Sequence, residues 1–248
     1  WQRPRAAWRG MVRALGRALP ALCEVCGAWP DGPLCPQCRR DLAPLLPRCP
    51  GCARPVPVGV ARCDGCTRDP PPWTAVLARV DYAYPWDAWI RALKSRGAPG
   101  LARTLAALWL DDPTLRTRLA EADLWTPIPL APARLAERGY NQSWVLMRAL
   151  ARLTATPPGE PTLLARNPDA PILHHLDASA RRQQMHHLIR VSPVAAARVR
   201  GRHVLVVDDV MTTGTTLRAA TWALRAAGAR AVSALVVART PPPDSGVE

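Results

Sequence analysis

The sequence predicts an α/β fold, a parallel sheet flanked by helices, preceded by a small metal-held N-terminal module. Three observations carry this. A run of four apolar residues, Val204 to Val207, is followed by paired acids, a Thr-Gly turn, a helical apolar period and a second apolar run. Upstream segments alternate between strand-like and helix-like patterning. All eight cysteines lie in one stretch between residues 23 and 66. With 248 residues and 48% hydrophobic content the chain can bury one full core and carry a smaller appendage.

In chain order, residues 1–22 place Arg5, Arg9, Arg13 and Arg17 four apart, while Trp8, Val12, Leu15 and Leu19 recur at helical spacing. This predicts a basic amphipathic helix, which either packs its apolar stripe on its own protein or lies on anionic lipid or DNA. Residues 23–72 are rich in Pro, Gly and Cys and lack periodicity, so something other than a conventional core must hold them. The triple proline 70–72 closes the segment, and 73–240 forms the α/β domain.

Residues 79–84 read as its first strand. Trp86, Ile90 and Leu93 define a helix before Gly97, and a second helix covers 99–110. Leu124 to Pro129 reads as a strand entering a loop. Asn141 caps a helix carrying Trp144, Met147, Leu150 and Ala151 on one face. A long polar stretch over 154–188 holds five prolines, the pairs His174-His175 and His186-His187, and Arg181-Arg182. Adjacent histidines point apart on regular structure, so these pairs read as exposed loop positions. Strand 203–207, helix 215–227 ended by Gly228, and strand 231–238 then make a parallel crossover unit. Residues 241–248 read as a disordered tail.

The cysteines form four Cys-x-x-Cys pairs: Cys23/Cys26, Cys35/Cys38, Cys49/Cys52 and Cys63/Cys66. A two-residue spacer lets a tight turn aim both thiolates at one cation, and Gly27 after Cys26 suits that turn. Sequential pairing gives two closed tetrahedral zinc sites with a structural role; the spacing also allows interleaved pairing. Disulfides would need an oxidising compartment, and no secretory signal is present. No window of 18 apolar residues exists to span a bilayer, so the expected location is the cytoplasm.

Formal charge is +14, reduced to about +10 by two four-thiolate zinc sites. Such an excess points to a polyanionic partner: nucleic acid, a phosphorylated ligand or an anionic membrane surface. The chain has 32 Arg and a single Lys, Lys94, which singles out that position, because an ammonium and a guanidinium are not interchangeable. Ten tryptophans beside the basic charge would suit single-stranded nucleic acid.

The most informative stretch is His203 to Thr216. The acids Asp208 and Asp209 fall at the C-terminal end of a buried strand, where ligands bind in open α/β sheets. Thr212, Thr213, Gly214, Thr215 and Thr216 then lead into a helix whose apolar face is Leu217, Ala220, Leu224 and Ala227. Gly214 permits positive φ, and the free N–H groups and hydroxyls form a cup for phosphate at the positive helix end. The acids add acceptors for two ribose hydroxyls or anchors for hydrated Mg²⁺. A Walker loop is excluded, since its Gly-Lys-Ser/Thr ending is missing.

This segment resembles the phosphoribosyl-diphosphate signature of type I phosphoribosyltransferases. The resemblance implies that Asp208 and Asp209 hold the ribose hydroxyls and Thr212 to Thr216 the 5′-phosphate. Further segments are similar to the ComF (ComFC) competence-protein family over almost the whole chain. Arg134-Leu-Ala-Glu-Arg-Gly-Tyr-Asn-Gln142 matches its Arg-x-x-Glu-Arg-Gly-Phe-Asn-Gln motif with Tyr140 for Phe, placing Arg134, Arg138 and Asn141 at the diphosphate loop. Ile90 to Gly97 looks like its Ile-x-x-Leu-Lys-x-x-Gly segment, which adds Lys94 to the ligand set. The cysteine pairs match its double zinc ribbon. Ala180-Arg-Arg-Gln-Gln184 resembles its flexible-loop motif Glu-Arg-Arg-x-Asn, so Arg181 and Arg182 would act catalytically by neutralising the leaving diphosphate.

The family resemblance implies a competence protein of DNA uptake and natural transformation. It would bind single-stranded DNA on the cytoplasmic side of the membrane and carry a Mg-phosphoribosyl diphosphate site, with other DNA-uptake proteins as partners. Peripheral membrane contact would run through residues 1–22. The alternative is a metabolic phosphoribosyltransferase acting on a base or amine.

Overall fold

The computed structural model describes residues 22–29, 33–95, 98–167 and 188–241. The basic helix expected over 1–22 lies outside them but for Leu22, as do the histidine pairs, Arg181, Arg182 and the tail after Pro241. The chain divides into two units, Trp1–Pro44 and Leu45–Glu248. The division falls inside the 23–72 segment expected as one double ribbon, and the second cysteine cluster belongs to the same unit as the sheet.

The first unit holds α1 (Pro36–Leu42), whose N-cap Cys35 accepts a bond from the Cys38 N–H. In the second unit α2 (Asp64–Arg68) also has a cysteine, Cys63, as its N-cap, but without a side-chain cap bond. There follow β1 (Ala75–Asp81), α3 (Trp86–Ser95), α4 (Leu101–Leu108) running into a 3-10 turn, α5 (Leu115–Glu121), β2 (Leu124–Pro127), α6 (Pro132–Arg138), α7 (Gln142–Thr154), β3 (Leu164–Arg166), β4 (Ile189–Val191), α8 (Ala196–Val199), β5 (His203–Met211), α9 (Thr215–Ala226) and β6 (Ala231–Arg239).

Four strands form a parallel sheet in the order β1-β6-β5-β2, and β3 and β4 form a separate antiparallel hairpin. Both faces of the sheet are covered, as a parallel sheet requires. Val204 and Val206 join one core with Leu217, Ala220 and Leu224 of α9 and with the hairpin residues Leu164 and Ile189. Leu205 and Val207 are also buried but stand outside that cluster, as the two-residue period of a strand dictates. Helix α7 packs on β5 and β2, and α4 packs on α7. On that side Trp109 donates its indole N–H to the Val236 carbonyl at 2.9 Å.

Two sequence boundaries move the most. The first strand is Ala75–Asp81 rather than 79–84: parallel pairing with β6 from Ala75 to Asp81 sets its limits, and a buried Arg79, bonded to the Leu108 carbonyl at 3.0 Å, hides within it. Strand β5 runs on to Met211 instead of ending at Val207, because its pairing with β6 continues through Asp208 and Val210. The acids therefore sit inside the strand's last turn of pleat and not in a loop.

Candidate ligand site and cysteine clusters

Helix α9 starts at Thr215 from Gly214, which adopts φ +82° as the N-cap. A Cβ there would lie 2.8 Å from the Met211 side chain and 3.3 Å from Trp73, so the position needs glycine for space as well as for backbone sign. Thr213 and Thr215 share a hydroxyl–hydroxyl bond of 2.7 Å across the turn. A hollow lined by Asp208, Thr212, Gly214, Thr215 and Thr216 opens at the helix start, where unpaired N–H groups favour an anion.

Beside it lies a cavity of about 320 Å³ reaching Tyr82, Lys94, Gln142, Arg166, both acids, Thr212 and Thr216. The acids are held from three elements. Ser143 Oγ on α7 donates to Asp208 Oδ1 at 2.8 Å, and the Asp209 N–H donates to the same oxygen at 2.9 Å. Gln142 Nε2 donates to Asp209 Oδ1 at 3.2 Å, and Lys94 Nζ from the last turn of α3 pairs with Asp209 Oδ2 at 2.5 Å. Arg138 in turn donates to Gln142 Oε1, so one basic side chain acts on Asp209 directly and one through an amide. Burial, reinforced by the neighbouring Asp209, pushes the Asp208 carboxyl up to about 8.

Of the residues expected at the site, Lys94, Asp208, Asp209, Thr212 and Thr216 line the cavity, and Gly214 and Thr215 line the adjoining hollow. Thr213 stands at the exposed rim. Arg134 instead pairs with Glu137 at 2.9 Å on the exposed face of α6. Asn141 is spent on structure: Oδ1 accepts from the Ser143 and Trp144 N–H groups, and Nδ2 donates to the Ile128 carbonyl at 2.8 Å, closing the base of the 128–141 loop. Arg181 and Arg182 lie outside the described residues.

Three residues at the site escaped sequence reasoning: Gln142, Ser143 and Arg166. Arg166 ends β3, and burial holds its guanidinium below the usual range against the opposing pull of Asp208. Its Nε is buried with no partner among the described residues, leaving a donor for a ligand anion. No local signal in the sequence marks Gln142 or Ser143 as partners of the acids, which lie 67 and 65 residues further on.

Each cysteine cluster gathers one sulfur from each of four residues within 4.8 Å, Cys23, Cys26, Cys35 and Cys38 in one and Cys49, Cys52, Cys63 and Cys66 in the other. Pairing is thus sequential. The Cys26–Cys35 and Cys52–Cys63 sulfurs are 3.7 and 3.6 Å apart, close to the edge of about 3.8 Å in a tetrahedron with Zn–S bonds of about 2.3 Å. The geometry and the soft thiol donors fit zinc. The clusters repeat one design: the Cys35 and Cys63 N–H groups each donate to the first sulfur of their cluster at 3.4 Å, and Gly27 and Ala53 occupy matching positive-φ positions. Burial alone would raise the Cys49 thiol, but N–H groups of Cys63, Cys52 and Gly51 outweigh it and bring it down to about 7, which suits a metal thiolate.

The expected tryptophan platform is reduced. Of the eight described tryptophans, Trp73, Trp86, Trp89, Trp109 and Trp125 are core residues, and only Trp29 is largely exposed. Trp144 and Trp222 are half-buried beneath Arg148 and Arg218.

The parallel sheet, the acids at the end of β5 and the glycine-capped helix start define a phosphoribosyltransferase-type domain, and residues 168–244 match the phosphoribosyl transferase domain family. The DNA utilization protein YhgH of Escherichia coli O157:H7 is 30% identical over 224 residues, covering 88% of this chain and 90% of that protein. YhgH of Salmonella typhi is 30% identical over 174 residues, 69% of this chain and 74% of its own. Competence protein F of Haemophilus influenzae is 28% identical over 172 residues, 68% and 74%. The chain belongs to the ComF competence-protein family. Among the described residues no helix is long and apolar enough to cross a membrane.

Proposed function

We propose that this protein acts in DNA uptake, binding single-stranded DNA in the cytoplasm and carrying a Mg-phosphoribosyl diphosphate site whose occupancy it uses in handling that DNA. The observation that carries the reading is the juxtaposition of Asp208 and Asp209 with Thr212 and Thr216 in one cavity of about 320 Å³, within the size range of small-ligand sites, beside the hollow at the Gly214-capped helix start. The 5′-phosphate would sit at Thr212 to Thr216. Asp208 would take ribose hydroxyls, and Asp209, steadied by Lys94 and Gln142, would complete the acidic wall. Mg²⁺ would neutralise the diphosphate; Arg166, at the same cavity, would meet its outer oxygens, with Arg181 and Arg182 closing over it. Arg134, Arg138 and Asn141 would support this from the 128–141 loop. The DNA arm rests on the net charge of +14 and on the names of the relatives.

Calorimetric titration with Mg-phosphoribosyl diphosphate, with and without an oligodeoxynucleotide, tests both arms. Binding should be abolished by Asp208→Asn with Asp209→Asn, and DNA affinity should fall steeply with salt. Absence of any heat with the diphosphate would refute the site, and absence of DNA retention at low salt would refute the DNA arm. Diphosphate release that rises with an added base would assign the site to metabolic transfer instead.

A further inference from the structure

We infer that the second cysteine cluster positions the phosphate loop through Trp73 and Arg239, so that metal binding at Cys49, Cys52, Cys63 and Cys66 and anion binding at residues 212–216 strengthen one another. The affinity part of this rests on the phosphate-site reading above; the mechanical link does not.

The loop 212–214 is bounded by Met211 and Gly214, and each boundary is tied to the same two-residue turn between cluster ligands. At one end, the Trp73 indole N–H donates to the Gly51 carbonyl at 2.8 Å, while the far edge of the same ring lies 3.3 Å from where a Cβ on Gly214 would sit. At the other, Arg239 Nε donates to the Cys52 carbonyl at 2.7 Å and Nη1 to the Met211 carbonyl at 3.0 Å. Trp73 and Arg239 are both almost fully buried, so neither bond has water as a ready substitute.

The turn that supplies those carbonyls is itself set by the cluster. A Cβ on Gly51 would lie 2.8 Å from Cys66 Sγ, so this backbone lies directly against the fourth sulfur. The Ala53 N–H closes the turn on the Cys49 carbonyl at 2.7 Å. Four sulfurs within 4.8 Å are held by one common bond partner only around a cation; without one, the cysteines take up protons, nothing fixes the sulfurs to a single point, and the Gly51 and Cys52 carbonyls lose their aim. Two further ties, the Val76 N–H to the Pro50 carbonyl at 2.8 Å and Arg48 to Asp81 at 2.7 Å, join the cluster to β1, so the disturbance has a rigid body to act against. By linkage, an anion that orders the loop must tighten metal retention by the same factor.

The test uses the zinc-loaded full chain, its Trp73→Phe and Arg239→Lys variants, and Cys63→Ser. Amide hydrogen exchange is followed at residues 212–216, and metal release to a chromogenic chelator is timed with and without Mg-phosphoribosyl diphosphate. Trp73→Phe removes one N–H donor and keeps a ring, so exchange at 212–216 should quicken about fivefold, the equivalent of one hydrogen bond, with metal content unchanged. The diphosphate should slow release of one metal fraction in the wild type and lose that effect in Trp73→Phe/Arg239→Lys. Should Cys63→Ser fail to fold, the two metal-retaining variants decide alone. Unchanged loop exchange in both variants, or metal release indifferent to a bound diphosphate, overturns the inference. A wild type that binds no diphosphate but shows the loop effect refutes the phosphate-site reading and leaves the link standing.

Discussion

Replacing Lys94 by Met should destabilise the protein more than replacing its partner Asp209 by Asn, although both break one ion pair. The asymmetry lies in exposure: the Lys94 side chain is 31% accessible and that of Asp209 4%. A stranded lysine can turn its ammonium to water, whereas a stranded Asp209 keeps only the Gln142 amide and stays beside Asp208. Removing one partner of a buried pair costs about 3–5 kcal/mol. The partial exposure of Lys94 lowers this. We therefore expect about 2–4 kcal/mol for Lys94→Met, about 1 kcal/mol for Asp209→Asn, and a double variant well short of the sum. Urea denaturation at neutral pH, run as a double-mutant cycle, measures all three. Equal losses for the two single variants, or strict additivity, would refute the reasoning.

Because the Asp208 carboxyl is raised to about 8, the folded chain holds a proton that the unfolded chain has released between about pH 4 and about pH 8. The contribution is complete below the lower value and lost as pH rises through the upper one; thermal unfolding across that window should show it, and Asp208→Asn should flatten the slope. Binding of Mg-phosphoribosyl diphosphate at neutral pH should accordingly release about one proton, read by calorimetry in buffers of different ionisation enthalpy. Gly214→Ala forces a side chain onto φ +82° and against Met211 and Trp73, so stability should drop by about 1–2 kcal/mol and diphosphate affinity more than tenfold, with the fold intact by circular dichroism.

The segment from His203 onward was legible because its signals are local: an apolar strand, a glycine where φ must be positive, and a helix with a clean apolar face. The cysteine pairs were legible for the same reason, since the chelating spacing is written in the chain. Lys94 stood out against its arginine background and through the Ile90–Gly97 resemblance, and it reaches Asp209. What stayed hidden depends on topology. Ser143 and Gln142 meet the acids across 65 and 67 residues, and no local pattern encodes that. Arg79 broke the apolar run of β1 and displaced its apparent start, because a buried arginine satisfied by the Leu108 carbonyl and Asp111 reads like a surface residue. Trp73 and Arg239 belong to no motif in the sequence; only packing shows them reaching the second cluster.

The order of strands has a consequence for how the polypeptide is born. Among the described residues strand β1 pairs only with β6, and Arg239 follows the Cys52 carbonyl it grips by 187 residues. During synthesis the first strand and the second metal knuckle emerge long before the segment that seals them, so the edge of β1 waits uncovered on the ribosome. Assembly cannot close until β6 slides between its two neighbours, β1 and β5, which makes the emergence of Ala231–Arg239 the committing step for the sheet.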